Sequence, residues 1–166
     1  MTGKDFERLM YRIAESWNTG NARQAADCFS EDAVYLEPPE KQLYRGRAEL
    51  YEFFGGDRGT DIPMHMTWHH LAFNEKEQVG FGEYTFQMRG RYHGIVVVRI
   101  EAGMIKYWRE YQYPSELNWD EFTAHNPFQD RGSTGLMQAA ARTRLVRLVA
   151  GHGKRSMFCF TLPIKD

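Results

Sequence analysis

The sequence contains no long hydrophobic run and very little cysteine. No stretch of about 18 uncharged apolar residues occurs, which excludes a protein with membrane-spanning helices. The N-terminal MTGKDFERLM has neither the basic start nor the apolar stretch of a signal peptide. The two cysteines, Cys28 and Cys159, are too few for the disulfide framework of a small secreted fold. We therefore expect a soluble, cytoplasmic protein with two thiols and no membrane partner.

The histidines do not indicate a metal site. His65, His69 and His70 fall in one predicted strand, in which the adjacent His69 and His70 point to opposite faces. His65 and His69 are separated by about 13 Å at about 3.3 Å per residue, so one ion cannot bind all three. With no cysteine or aspartate pattern nearby, we expect neither a metal nor another cofactor.

The charge is nearly balanced but unevenly distributed. Residues 129–166 hold seven Lys/Arg and two Asp/Glu, whereas residues 1–128 hold 14 basic and 20 acidic residues. The basic segment has no interleaved aromatic residues on its arginine-rich helix and no recognisable binding motif. We therefore expect no nucleic-acid partner.

The chain has 42% apolar and 14% aromatic residues, enough for one domain with a hydrophobic core. Helical spacing predicts a first helix after Thr2, with one face formed by Phe6, Leu9, Met10, Ile13 and Trp17. Asn21 caps a second predicted helix, lined by Ala22, Ala25, Ala26 and Phe29. A third helix contains Leu50, Phe53 and Phe54 and ends at Gly55-Gly56.

Two-residue periodicity predicts strands over residues 64–73, 78–88, 92–100 and 104–113, joined by hairpin-length turns, with a short strand over 33–36. The pattern predicts an α+β fold in which three N-terminal helices cover a curved antiparallel sheet of four long strands and a short one. This domain spans residues 1–125. Residues 126–166 form a basic C-terminal extension with a linker, a helix and a candidate strand over 156–164.

Alternation assigns the strand faces only in part. The apolar set facing the helices is Tyr92, Gly94, Val96, Val98 and Ile100, and the concave set of the preceding strand is Tyr84, Phe86 and Met88. Gly80 and Gly82 permit that strand to bend. In the last strand, apolar count favours the face with Tyr111 and Tyr113 over the face with Trp108 and Glu110, but alternation does not decide.

One carboxylate has unusual neighbours. In VYLEPP, Glu37 follows Tyr35-Leu36 and precedes Pro38-Pro39, so its backbone is extended and its surroundings are partly apolar. Glu37 could be a functional acid, or it could cap the following loop or pair with Arg45 or Arg47.

Two longer stretches resemble a known family: AESWNTGNARQAADCFSEDAVYLEPPEKQLYRGRAELYEFF and GRYHGIVVVRIEAGMIKYWREYQYPSE. They are similar to the SnoaL-like branch of the nuclear-transport-factor-2-like superfamily, which includes ketosteroid isomerases, limonene epoxide hydrolases and polyketide cyclases. The resemblance covers about residues 5–125. It implies a cone-shaped α+β fold with an apolar pocket, and a homodimer formed through the outer sheet face. Since this fold supports many reactions, its residues must decide the chemistry.

The chain keeps only part of the catalytic residues of two groups within this resemblance, the ketosteroid isomerases and the epoxide hydrolases. Glu37 stands where ketosteroid isomerases have their catalytic base, but Ile13 and Val96 replace the two oxyanion donors of those enzymes. Glu110 in WREY matches an acid of the epoxide hydrolases, but Tyr84 and Phe86 replace their Arg and first Asp. The second comparison also favours Trp108 and Glu110 as inward-facing residues.

We therefore expect Glu37 as a base and Glu110 as a second polar group in an apolar pocket. The expected substrate-binding residues are Trp17, Trp68, His70, Tyr84, Phe86, Val96, Val98 and Trp108. The expected function is cofactor-free isomerase, cyclase or dehydratase-type lyase chemistry on a small apolar molecule, since burial tunes carboxyl groups toward neutral pH. The alternative is a non-catalytic ligand-binding or interaction module, in which Glu110 pairs with Arg109.

Overall fold

The computed structural model describes residues 1–39, 41–60 and 63–124, which belong to the first of two units of the chain, Met1–Phe128. Its elements are α1 (Gly3–Asn18), α2 (Ala22–Ala26), β1 (Phe29–Glu37), β2 (Gln42–Arg45), α3 (Gly46–Phe53), a 3-10 turn (Gly56–Arg58), β3 (His65–Asn74), β4 (Val79–Gln87), β5 (Arg91–Glu101), β6 (Met104–Pro114) and α4 (Trp119–Thr123). The helix and strand predicted within residues 126–166, and Cys159, lie outside the described residues.

Helix α1 begins and packs as its sequence predicts. The Thr2 side chain accepts from the Asp5 backbone, and the Asp5 side chain accepts from the Thr2 backbone, so two of the free N–H groups at the helix start are satisfied. Its buried face includes Phe6, Met10, Ile13 and Trp17. Phe29 departs from the prediction: α2 ends at Ala26, and Phe29 is the first residue of β1.

The six strands form one curved, unclosed sheet in the order β2-β1-β6-β5-β4-β3, which confirms the α+β class. All neighbouring strands are antiparallel except β1 and β6, which are parallel. Neither this parallel pair nor strand β2 was predicted. Hairpin spacing predicts antiparallel neighbours only, whereas β1 and β6 are brought together from opposite ends of the domain.

The register between β5 and β6 decides which face of β6 is buried. Val98 lies opposite Trp108, and Val96 lies opposite Glu110. Because partners across a ladder share a face, the buried side of β5 carries Trp108 and Glu110 inward with it. Trp108 is 0% exposed and Tyr113 is 75% exposed, so the face favoured by apolar count was wrong.

The outer face of the sheet keeps large apolar side chains exposed, namely Phe81, Ile95, Tyr111 and Tyr113. Near β3 it is partly covered by α4, whose Trp119 ring stacks on His69 at 3.7 Å between centroids. The homodimer through this face stays a prediction. None of the helices in the described residues is both long and apolar enough to cross a membrane.

Gly80 lets helix α1 approach the sheet. A Cβ atom built at this position would lie 2.2 Å from Cζ of the Phe6 ring, closer than any real contact. We therefore expect Gly80→Ala to lower the free energy of unfolding by about 1–3 kcal/mol, the usual cost of overpacking a core. Chemical denaturation measures this change in the free energy of unfolding. Gly3→Ala is the matched control, because its Cβ would meet its nearest neighbour, Glu75, at an ordinary 3.6 Å. Equal stability of the two variants would contradict the packing role.

Candidate active site

A cavity of about 480 Å³ lies within the described residues. This volume is in the range of about 300–1,000 Å³ usual for small-molecule sites. Helices α1 and α3 and all six strands contribute to its walls. It is lined by Trp17, Tyr35, Glu37, Gln42, Phe53, Phe54, Thr60, Met64, Met66, Tyr84, Phe86, Met88, Arg89, Tyr92, Glu110 and Gln112.

The parallel pairing of β1 with β6 brings two carboxyl groups together in this cavity. Register partners Leu36 and Arg109 are followed in their strands by Glu37 and Glu110. Nε2 of Gln112 lies 3.2 Å from Oε1 of Glu110 and 3.5 Å from Oε2 of Glu37, so both carboxyls adjoin one amide. Both are buried, with 5% and 4% exposure.

The Glu110 carboxylate is surrounded by hydrogen-bond donors. Its Oε1 accepts from the Tyr35 hydroxyl at 2.7 Å and from Gln112. Its Oε2 accepts from Trp108 Nε1 at 2.9 Å and from the Tyr84 hydroxyl at 3.1 Å. An indole N–H and an amide NH₂ can only donate, so this environment is built for an ionised, acceptor-only carboxylate. Glu110 is thereby locked in orientation.

Glu37 has different surroundings, which favour its protonated form. Burial first, and then the neighbouring Glu110 carboxylate, raise the pKa of Glu37 from 4.5 to about 8. Hydrogen bonding from Tyr35 and Gln112 acts in the opposite direction but is the smaller effect. The raised pKa favours a proton on Glu37, whereas the donors around Glu110 favour an acceptor-only carboxylate there.

The two tyrosines remain neutral donors. Burial and the adjacent carboxyl groups raise the pKa of both Tyr35 and Tyr84 well above the usual value for a phenol. A Cβ at Gly94 would lie 2.2 Å from Cζ of Tyr84, so glycine there makes room for the ring that donates to Glu110.

Not all of the predicted substrate-binding residues line the cavity. Trp17, Tyr84 and Phe86 do. Trp68 and Trp108 are buried beside it, where Trp68 Nε1 donates to the Met10 carbonyl at 2.8 Å. Val96 and Val98 are fully buried in the core and are also outside the lining.

His70 is directed away from the cavity. Its Nδ1 lies 2.5 Å from a carboxylate oxygen of Glu83, and its side chain is 45% exposed. The register shift between Trp68 and His70 explains this placement, because it breaks the alternation by which even-numbered residues of β3 would face inward.

The structural alternatives for the two acids are not realised in the described residues. Arg47 pairs with Glu31 at 2.8 Å and also donates to the Phe29 carbonyl at 2.8 Å, and no ion pair joins it or Arg45 to Glu37. Arg109 points to the other side of β6 from Glu110, with its guanidinium 5.8 Å from the Tyr107 ring.

Sequence reasoning missed the closest partners of the dyad, Tyr35 and Gln112. Each lies two positions from one of the acids in the same strand, so the two-residue period would have placed them on the same face. Alternation predicts that Met88 and Tyr92 face inward, although neither is expected to bind substrate. The other lining residues that were missed come from α3, β2, β3 and connecting segments: Gln42, Phe53, Phe54, Thr60, Met64, Met66 and Arg89. Local periodicity contains no signal for which loops close a cavity.

Solved structures with the same fold share little sequence with this chain. A putative ketosteroid isomerase from Kribbella flavida DSM 17836 is 14% identical with a TM-score of 0.59, covering 70% of this chain and 83% of that one. An LEH-like epoxide hydrolase from M. tuberculosis is 13% identical with a TM-score of 0.57, covering 67% and 84%. At such low identity these likenesses establish the fold alone.

A third similar structure is SalBIII, an epoxide hydrolase/cyclase-like enzyme of pyran ring formation in salinomycin, with 19% identity and a TM-score of 0.55. It covers 64% of this chain and 89% of its own.

The sequence finds no match among curated proteins. The model of the SnoaL-like domain matches residues 10–108, more than half of the chain. The curved α+β sheet, the helices above it and this match lead to one assignment: the chain belongs to the SnoaL-like domain family.

Proposed function

We propose that this protein is a cofactor-free acid–base enzyme of the isomerase, cyclase or dehydratase-type lyase class. Its substrate would be a small, mostly apolar molecule with one reactive oxygen function. The observation that carries the proposal is the pair of buried carboxyls in one cavity, in which only one carboxyl has its oxygens saturated by donors. In such a pair, one carboxyl holds the negative charge and the other holds the proton that can be transferred.

In this proposal Glu110 is a positioning residue and Glu37 is the catalytic residue. The four donors to Glu110 keep its charge in place next to Glu37. That charge favours a proton on Glu37, whose pKa of about 8 is close to the value at which proton transfer near neutral pH is efficient. The largely apolar walls lower the local dielectric, which strengthens both effects.

Dehydration illustrates the proton balance. The Glu37 proton passes to a hydroxyl oxygen of the substrate, and the C–O bond breaks with its electron pair leaving on water. The Glu37 carboxylate then takes the proton from the neighbouring carbon, and that C–H electron pair becomes the new C=C bond. Glu37 ends protonated, as it began. The base role expected from the sequence thus follows an acid role in the same turnover.

Orphaned polar atoms support a ligand with a polar end. Nε1 of Trp17 and Oε1 of Gln112 belong to lining residues, are buried and have no hydrogen-bond partner in the described part of the chain. A buried donor or acceptor left unpaired costs about 1–3 kcal/mol. A hydroxyl group of a ligand can both accept from an indole N–H and donate to an amide oxygen.

The pH dependence of turnover tests the acid role. We expect kcat/KM to be level below pH 8 and to fall about tenfold per pH unit above it, as the carboxyl loses its proton. Suitable probes for this profile are a tertiary benzylic cyclohexanol for dehydration and an epoxy alcohol for cyclisation, because both reactions begin with proton transfer to oxygen. A β,γ-unsaturated cyclohexenone tests isomerisation separately, because that reaction begins with removal of a carbon-bound proton. Formation of the conjugated alkene or enone is followed by ultraviolet absorbance.

A rate of dehydration or cyclisation that instead rises toward pH 8 would assign Glu37 as a base from the start and overturn the acid step. Binding of all these probes without turnover of any would favour the non-catalytic ligand-binding module.

A further inference from the structure

Arg89 adds a positive charge to the edge of the cavity. Among the described residues that line it, Arg89 alone is basic. It follows the end of β4, in the turn that leads into β5, and is exposed. No carboxylate of residues 1–39, 41–60 or 63–124 forms an ion pair with it. Within the described part of the chain, its guanidinium is therefore left for a ligand.

Strand β4 connects this charge to the carboxyl dyad. The Tyr84 hydroxyl donates to Glu110, and the chain then continues through Phe86 and Met88 to Arg89, all four of which line the cavity. Five residues of extended chain span at most roughly 16 Å. The lining next to these residues is apolar, with Phe86 on β4, Met88 just after it, Met64 just before β3 and Met66 on β3. The lining thus combines the two carboxyls, one guanidinium five positions after Tyr84, and apolar side chains between them along this segment of the chain.

We propose that the substrate of this site is a small amphipathic carboxylate. Its carboxylate pairs with the Arg89 guanidinium, its apolar body contacts the Phe86 and methionine wall, and its reactive oxygen lies at Glu37. A guanidinium matches a carboxylate with two parallel hydrogen bonds, which a neutral head group cannot reproduce. This inference rests on the proposed function, since it takes the dyad as the reacting end.

Electrostatics also sets the orientation of the ligand in the cavity. The Glu110 carboxylate is buried, where charges interact more strongly than in water. A ligand that entered with its carboxylate first would meet this like charge. With its carboxylate at Arg89 it avoids the repulsion and presents its uncharged oxygen function to the protonated Glu37.

Binding of decanoate and of its neutral analogue decanamide tests the proposal in the full-length protein. We expect decanoate to bind about tenfold more tightly than decanamide at low ionic strength, measured by calorimetry. Arg89→Gln should remove this preference while leaving decanamide binding unchanged. Arg99→Gln is the matched control, because Arg99 is exposed on β5 and does not line the cavity. It should keep the preference.

Equal affinity for the two ligands, or a preference that survives Arg89→Gln, would overturn the inference. Site occupancy is checked on the same samples by the ¹³C NMR titration of Glu37, which either ligand should perturb on entering the cavity. If both ligands bind equally and both move this titration, the carboxylate specificity fails but the dyad proposal stands. If the unliganded protein shows no carboxyl titrating near pH 8, the dyad proposal itself fails.

Discussion

Glu37→Gln is expected to reduce turnover by about two to four orders of magnitude, the usual contribution of a positioned proton-transfer group. Glutamine keeps the size of the side chain and its place beside Gln112, but it cannot deliver or accept a proton. The measurement is kcat/KM on whichever probe the wild type converts. Glu77→Gln, in an exposed turn, is the control and should leave the rate unchanged. A Glu37→Gln enzyme with more than about a tenth of wild-type activity would show that the proton comes from another group.

The same variant can be tested without a substrate. The pKa of Glu37 is raised in the folded state, so the folded protein keeps this proton at pH values at which the unfolded chain has lost it. The stability that this group contributes is therefore fully present below pH 4.5 and is lost as the pH rises to about 8. Glutamine does not titrate. Glu37→Gln should thus gain stability relative to the wild type across this window, by about 2–3 kcal/mol after allowance for partial solvent screening. Denaturation at pH 4.5 and at pH 8 measures the difference, and Glu77→Gln should show none.

Glu110→Leu is expected to lower the free energy of unfolding by about 3–5 kcal/mol, because it leaves several buried donors without an acceptor. The Tyr35 and Tyr84 hydroxyls and Trp108 Nε1 all lose the oxygen to which they donate. The effect is measured by chemical denaturation. Glu110→Gln is the matched variant, since it keeps one acceptor oxygen, and it should cost less. A loss below about 1 kcal/mol for Glu110→Leu would mean that the donors find other partners.

Glu110→Gln also separates the roles of the two acids. With the neighbouring charge removed, the pKa of Glu37 should fall below about 8, since that charge is the second-largest cause of its rise after burial. The Glu37 carboxyl resonance in ¹³C NMR would then titrate at lower pH, and the decline in kcat/KM would move to lower pH with it. A purely structural Glu110 would change stability and leave this titration in place.

Helix α1 and the inward face of β5 could be predicted because their signals are local. The Thr2–Asp5 capping box and the three-and-four spacing of apolar residues operate within a few positions of one another. The uniform apolar alternation of Val96, Val98 and Ile100 likewise belongs to one strand, and all three are buried. The proline pair after Glu37 correctly indicated an extended backbone, and Glu37 is the last residue of β1.

The site itself depends on pairing that no local pattern contains. Tyr35 and Glu110 are 75 residues apart and meet only because β1 lies parallel to β6. By itself, the sequence determined the α+β class, the main helix, the long strands and one carboxylate with partly apolar neighbours, Glu37. The family resemblance already placed Glu110 in the same pocket, but only the tertiary structure decided that both carboxyls adjoin one amide, that four donors hold Glu110, and that His70 points away. Helix and strand signals act over a few residues, whereas the charge state of a carboxyl depends on whatever distant groups the folded chain places around it.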